Sequence, residues 1–204
     1  MTRDHGQRQA DGPRLRWLPA GLLLTHALLV GWIAYRMTPT QDEVAHLPAG
    51  LAIWELGRTD VYCVNPPLVK AVAALPVRVA EHEVDWRPLE DVRLGPRREW
   101  ALGGAFIKAN GRRAWWLMML ARWACLPFAL LGGWVLYRWV SDEFGAESGL
   151  VALALWCFSP NVIGYAALIT PDIASVSVLL LASWRFSLWL RGGSMRDAVL
   201  AGLV

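Results

Sequence analysis

Seven side chains in this sequence are of types that move protons, hold charge or bind a polar substrate: Asp42, Glu43, His46, Asn65 and Lys70 within one stretch, then Arg122 and Asp172. A carboxylate can take a proton from an attacking hydroxyl. A lysine or arginine can stabilise negative charge that develops on a leaving group. His46 lies one helical turn after Asp42, the spacing of two ligands on one face, but two ligands do not make a metal site. No metal or other cofactor is therefore expected. Each residue also has a structural reading. Asp42 and Glu43 suit a helix start, where the dipole favours carboxylates and Thr40-x-x-Glu43 has the capping-box pattern. Lys70 can snorkel to headgroups. Asp172 can cap the helix that follows it.

The elements that must position these residues follow from composition. Hydrophobic residues make up 55% and charged residues 18%, with 13 Trp in 204 residues, which is too apolar for an ordinary soluble domain. Several windows are long and apolar enough to cross roughly 30 Å of hydrocarbon. The expected class is all-α: a polytopic helical membrane protein. The net charge of +3 comes without a basic patch interleaved with aromatics, so nucleic acid is not an expected partner. Cys63, Cys125 and Cys157 have no metal-ligand spacing and are odd in number, so neither a zinc site nor a disulfide framework is expected.

Residues 1–16 carry four arginines and read as a cytoplasmic tail. Residues 17–35 read as the first transmembrane helix. A signal peptide is the rival, but Ala34-Tyr35-Arg36-Met37 offers no small-x-small cleavage site. Residues 36–113 read as an outer loop, in which positions 38–113 hold ten basic and ten acidic side chains. Val44, Leu47, Leu51 and Trp54 predict an amphipathic helix that Gly57 stops. Asn65 is expected to cap a second, with Pro66 and Pro67 in its first turn and an end near Pro76. Both resemble helices that lie on a membrane surface. Residues 84–113 read as an irregular loop with a short helix near 97–109.

Residues 114–204 are expected to hold transmembrane helices two to four and the start of a fifth. The second span runs from Ala114 to Tyr137, with close helix approach at Gly132-Gly133 and a kink at Pro127. Ser141–Gly149 is an acidic turn. Ser159-Pro160-Asn161 interrupts the third span, and Thr170-Pro171-Asp172 is a turn before the fourth. The chain stops inside the fifth span, so it is expected to be the N-terminal part of a longer protein and inactive by itself.

Basic residues in short loops mark the cytoplasmic side. Four arginines in the tail and three in 185–197, against none in 170–173, put the N-terminus in the cytoplasm. Asp42, Glu43, His46, Asn65, Lys70 and Asp172 then share the other side. Arg122 lies nine residues into the second span, about 12 Å deep at the helical rise, and an ionisable residue there is a functional candidate by default.

The order DEVAHLPAG, NPPLVK, LARWACLPFALLGGWVLYRW and SPNVIGYAALITPD resembles the C-type membrane glycosyltransferases across most of residues 36–185. These include protein O-mannosyltransferases, lipid A aminoarabinose transferases and RgtA/B/C/D-like enzymes. The O-mannosyltransferases carry DE-x-H and HPPLGK patterns at the first two places. The resemblance implies a GT-C-like fold, a polyprenyl-phosphate-sugar donor, a glycan, lipid or protein acceptor, and transfer with inversion on the non-cytoplasmic side, in a multi-pass protein of the bacterial inner membrane. It implies catalytic roles for Asp42, Glu43 and Asp172, and substrate binding by His46, Asn65, Lys70 and Arg122. Asn65 stands where relatives often have lysine or histidine near the donor phosphate, which leaves that contact to Lys70 or Arg122. A non-catalytic scaffold subunit and a transporter, with Arg122 and Pro160 on its path, are the alternatives.

Overall fold

A computed structural model describes residues 17–192 and 194–203. The expected tail at 1–16 lies outside the described residues. The described residues are helical, without a strand.

Helix α1 (Leu18–Arg36) is followed by α2 (Gln41–Leu56), α3 (Pro67–Val79) and α4 (Glu99–Asn110). Then come α5 (Arg113–Phe144), α6 (Ala146–Phe158), α7 (Pro160–Ala166), α8 (Pro171–Gly192) and α9 (Met195–Leu203). Helices α1, α5 and α8 are long and apolar enough to cross a membrane. Helices α6 and α7 pass that test together but bend by 58° at Ser159. The fold is thus that of a helical membrane protein. Large apolar side chains stand exposed along the candidate spans, among them Trp32, Trp115, Trp116 and Leu179, as lipid contact requires.

Helix α5 is the hub, packing against α1, α3, α6 and α8. At 32 residues it is about 48 Å long, more than a bilayer core needs. It and α6 between them absorb the acidic stretch expected to turn at 141–149. The turn is Gly145 alone, held at φ 90, where glycine carries no Cβ penalty. The pair Gly132-Gly133 does sit at a close approach: a Cβ on Gly132 would strike Ser177 of α8 and Trp156 of α6.

The segment between α1 and α5 is folded rather than superficial. Helix α2 is not one-sided. Ala45 to Ala52 are all buried, because α3 and α4 both pack on it. Gly50 makes this possible: its Cα rests on the main chain of Lys70, and a Cβ there would overlap the Lys70 carbonyl. Helix α3 does keep one apolar face, burying Val69, Ala73, Ala74 and Val77. It starts one residue later than expected. Pro67 disfavours helical geometry at Pro66, which is extended at ψ 145, so Pro66 and not Asn65 is the cap. Pro76 does not end it; the helix runs to Val79. The 84–113 region holds two 3-10 turns, Arg87–Leu89 and Val92–Leu94, before α4. Helix α8 continues to Gly192 and α9 begins at Met195, so the connection between them is short.

Candidate active site

Two buried cations organise the site. Arg122, on α5, has five N–H groups, and all five are engaged. Nε and Nη2 form a fork on Glu43 at 2.7 and 2.6 Å. The remaining donors reach Ala34 O, Met37 O and Thr38 O at 2.8, 2.8 and 2.9 Å. These carbonyls lie at the end of α1, where the last turn lacks intrahelical partners and a cation is favoured. Glu43 is fully engaged too. It accepts from Thr40 N and Oγ1 at 2.9 and 3.0 Å, the expected capping contact, and from Ile169 N at 3.0 Å. Burial pushes the Glu43 carboxyl up, but Arg122 and the N–H donors together hold it below the usual carboxylate range. One ion pair, 0% exposed at Glu43 and 2% at Arg122, therefore ties together α1, α2, α5 and the turn before α8.

Lys70 is the second node. Its Nζ donates to Val61 O, Tyr62 O and Asn65 O at 3.3, 2.6 and 3.1 Å. Three protons meet three carbonyls, so the ammonium closes the 61–65 turn onto α3. Burial lowers its pKa. Asn65 contributes its main-chain carbonyl to this contact and is half-buried.

Tyr62 is held in that turn at φ 57, a left-handed conformation that a bulky residue adopts only when its surroundings impose it. Its ring packs on His46 at 4.6 Å and on Trp100 at 5.6 Å. Its hydroxyl donates a long hydrogen bond to Asp42 Oδ1 at 3.4 Å. Burial and the Asp42 charge raise the Tyr62 pKa, which keeps the proton on the phenol.

His46 is buried on α2, one turn after Asp42. Burial and the Lys70 charge push its pKa down to about 4, against the pull of Asp42, Glu43 and Asp172. It is a neutral imidazole, and its Nδ1 is buried with no partner among the described residues. Asp172 lies in the first turn of α8, two residues after Thr170, whose Oγ1 is buried with no partner among the described residues. Asp42 and Asp172 are both exposed.

Of the seven residues read from the sequence, Glu43 and Arg122 meet directly, Asp42 and His46 both contact Tyr62, and Asp172 lies three residues after Ile169, whose N–H binds Glu43. Lys70 and Arg122 have no N–H left for a ligand. Tyr62, Arg97, Trp100 and Thr170 were not singled out. A tyrosine in TDVYCV has no spacing signal; only its φ and its contact with Asp42 mark it.

Fold and site together define a helical membrane protein with a carboxylate-bearing site beside its spans. A family model described as dolichyl-phosphate-mannose-protein mannosyltransferase matches residues 108–204. That match supports a C-type glycosyltransferase-like family and, at that coarse level, membrane glycosyltransferase activity. Arg122 and Asp172 lie inside the matched region; Asp42 to Lys70 precede it. No curated protein and no solved structure matches the chain.

Proposed function

We propose that this protein transfers a sugar from a polyprenyl-phosphate donor to a hydroxyl of a glycan, lipid or protein acceptor, on the non-cytoplasmic side of the membrane and with inversion. The observation that carries this reading is the exposed carboxylate of Asp42, held by Tyr62 next to the buried Glu43–Arg122 pair, in a chain whose residues 108–204 match the mannosyltransferase model.

In this reading Asp42 is the base. It accepts the proton of the acceptor hydroxyl as that oxygen bonds to the anomeric carbon. The bond from that carbon to the phosphate oxygen breaks, and the polyprenyl phosphate leaves with the electron pair. Exposure lets Asp42 reach substrate, and Tyr62 orients its carboxylate. Asp172 helps to place the acceptor. Glu43 is a positioning residue: its oxygens are engaged by Arg122, Thr40 and Ile169, so it fixes the start of α2 and with it Asp42. Lys70 and Arg122 act on the leaving phosphate through their field, not by contact.

Asp42→Asn tests the reading. Transfer should fall roughly 100-fold or more, the scale of a lost general base, with membrane abundance unchanged. Unaltered transfer would remove Asp42 from the mechanism.

A further inference from the structure

A pocket of about 260 Å³ has Tyr62 as one wall, and the proposed chemistry does not use it. Its walls include Arg58, Tyr62, Cys63, Leu89, Arg97 and Arg98. No residue of α1, α5 or α8 lines it. Arg97 is its built part. The guanidinium lies over the rings of Tyr62 and Trp100, 5.8 and 5.6 Å from their centroids, and Nε pairs with Glu99. Its two Nη groups have no hydrogen-bond partner among the described residues. Arg98 donates Nε to Gly95 O and Nη1 to Leu89 O, which leaves Nη2. Arg58 binds Asp60 through Nε and Nη2. The carboxylates of Asp60 and Glu99 thus already have arginine partners, while guanidinium N–H groups remain over.

We propose that this pocket is the acceptor subsite and takes an anionic group, a carboxylate or a phosphate, carried by the acceptor. A planar fork held on aromatic rings with its outer edge unfilled is the geometry that binds such oxygens. Tyr62 joins this pocket to the chemistry, since it is both a wall and the partner of Asp42. The donor does not fit here: its phosphate stays near the bilayer with its tail, whereas only the segment between α1 and α5 forms these walls. The inference rests on the proposed transfer reaction.

Cys63 gives a readout that needs no transfer. It is exposed in the pocket wall, while Cys125 and Cys157 are buried. The rate of N-ethylmaleimide labelling is measured on the native protein in nanodiscs, with inorganic phosphate, glucuronate, glucose or chloride at matched ionic strength. Each variant is compared with itself without anion, which cancels changes in thiol reactivity. Phosphate, glucuronate or both should slow labelling severalfold, and glucose and chloride should not. Arg97→Gln should raise the half-protecting anion concentration about tenfold, and Arg98→Gln should raise it less. Asp42→Asn should leave protection unchanged. Equal slowing by chloride, or full protection in both arginine variants, would show an adventitious ion only and overturn the proposal. Protection by a polyprenyl phosphate in the nanodisc, but not by soluble anions, would assign the pocket to the donor and overturn it too. An empty pocket and a non-catalytic Asp42 give separate results: the first shows as absent protection, the second as unchanged transfer in Asp42→Asn.

Discussion

Arg122 and Glu43 show how residue type, not charge alone, builds the site. A fork of two N–H groups on Glu43 and three more on the end of α1 needs a guanidinium; an ammonium has three donors and no plane. Leaving one partner of such a buried pair unmatched costs about 3–5 kcal/mol. Arg122→Lys and Glu43→Gln should therefore both lower the thermal midpoint in detergent, and the lysine should not rescue the fold. A midpoint equal to wild type in Arg122→Lys would contradict the accounting. His46 gives a pH signature. Its folded pKa of about 4 lies below the ordinary 6.5. Between those values the unfolded chain binds a proton that the folded chain refuses, so stability rises with pH across that window and falls as the solution is acidified from 6.5 toward 4. Unfolding midpoints from pH 7 to 4.5 should decline less in His46→Gln than in wild type; parallel curves would sink this assignment. The capping acid was legible in the sequence because Thr40 and Glu43 are local. Its pairing with Arg122, 79 residues away, was not, since spacing says nothing about which buried cation meets which acid.

At the scale of elements, proline and glycine carried most of what could be read. Pro67 starts α3, Gly57 ends α2 in a left-handed cap at φ 65, and Ser159-Pro160 breaks the α6–α7 pair. What the pattern could not show is that α2 is covered on several sides. Its apolar spacing suited a surface helix, and Gly50 has no periodic meaning until α3 lies on it. Gly50→Val should push α3 and Lys70 away from α2, releasing the turn that holds Tyr62. The expected result is destabilisation of about 1–3 kcal/mol together with faster labelling of Cys63. Wild-type stability and labelling in this variant would mean that the contact carries no strain. The break in α6–α7 leaves carbonyls without helical partners, and His26 of α1 bonds one of them, Cys157 O, at 2.9 Å.

For the whole molecule, candidate spans with exposed tryptophan and leucine around a polar site support a membrane glycosyltransferase at the coarse level. The sidedness proposed from arginine placement makes a direct prediction. Cys63 should react with a membrane-impermeant maleimide in intact cells or spheroplasts, and Glu147→Cys in a Cys63→Ser background should react only after permeabilisation. The opposite pattern would reverse the orientation and place Asp42 in the cytoplasm, away from the proposed donor. Hydropathy alone revealed the spans, because they are long and nearly free of charge. It could not reveal that the turn before Asp172 closes on Glu43 through the Ile169 N–H, since that contact joins residues 126 apart.

The most direct measurement is the product formed in membranes lacking the native protein and resupplied with wild type or Asp42→Asn at equal abundance, read by mass spectrometry of the glycan and lipid fractions. The account predicts a sugar-bearing product that wild type restores and Asp42→Asn does not, with the polyprenyl-phosphate sugar accumulating in the variant. Restoration by both would contradict Asp42 as the base and favour a role in which the carboxylate only begins a helix.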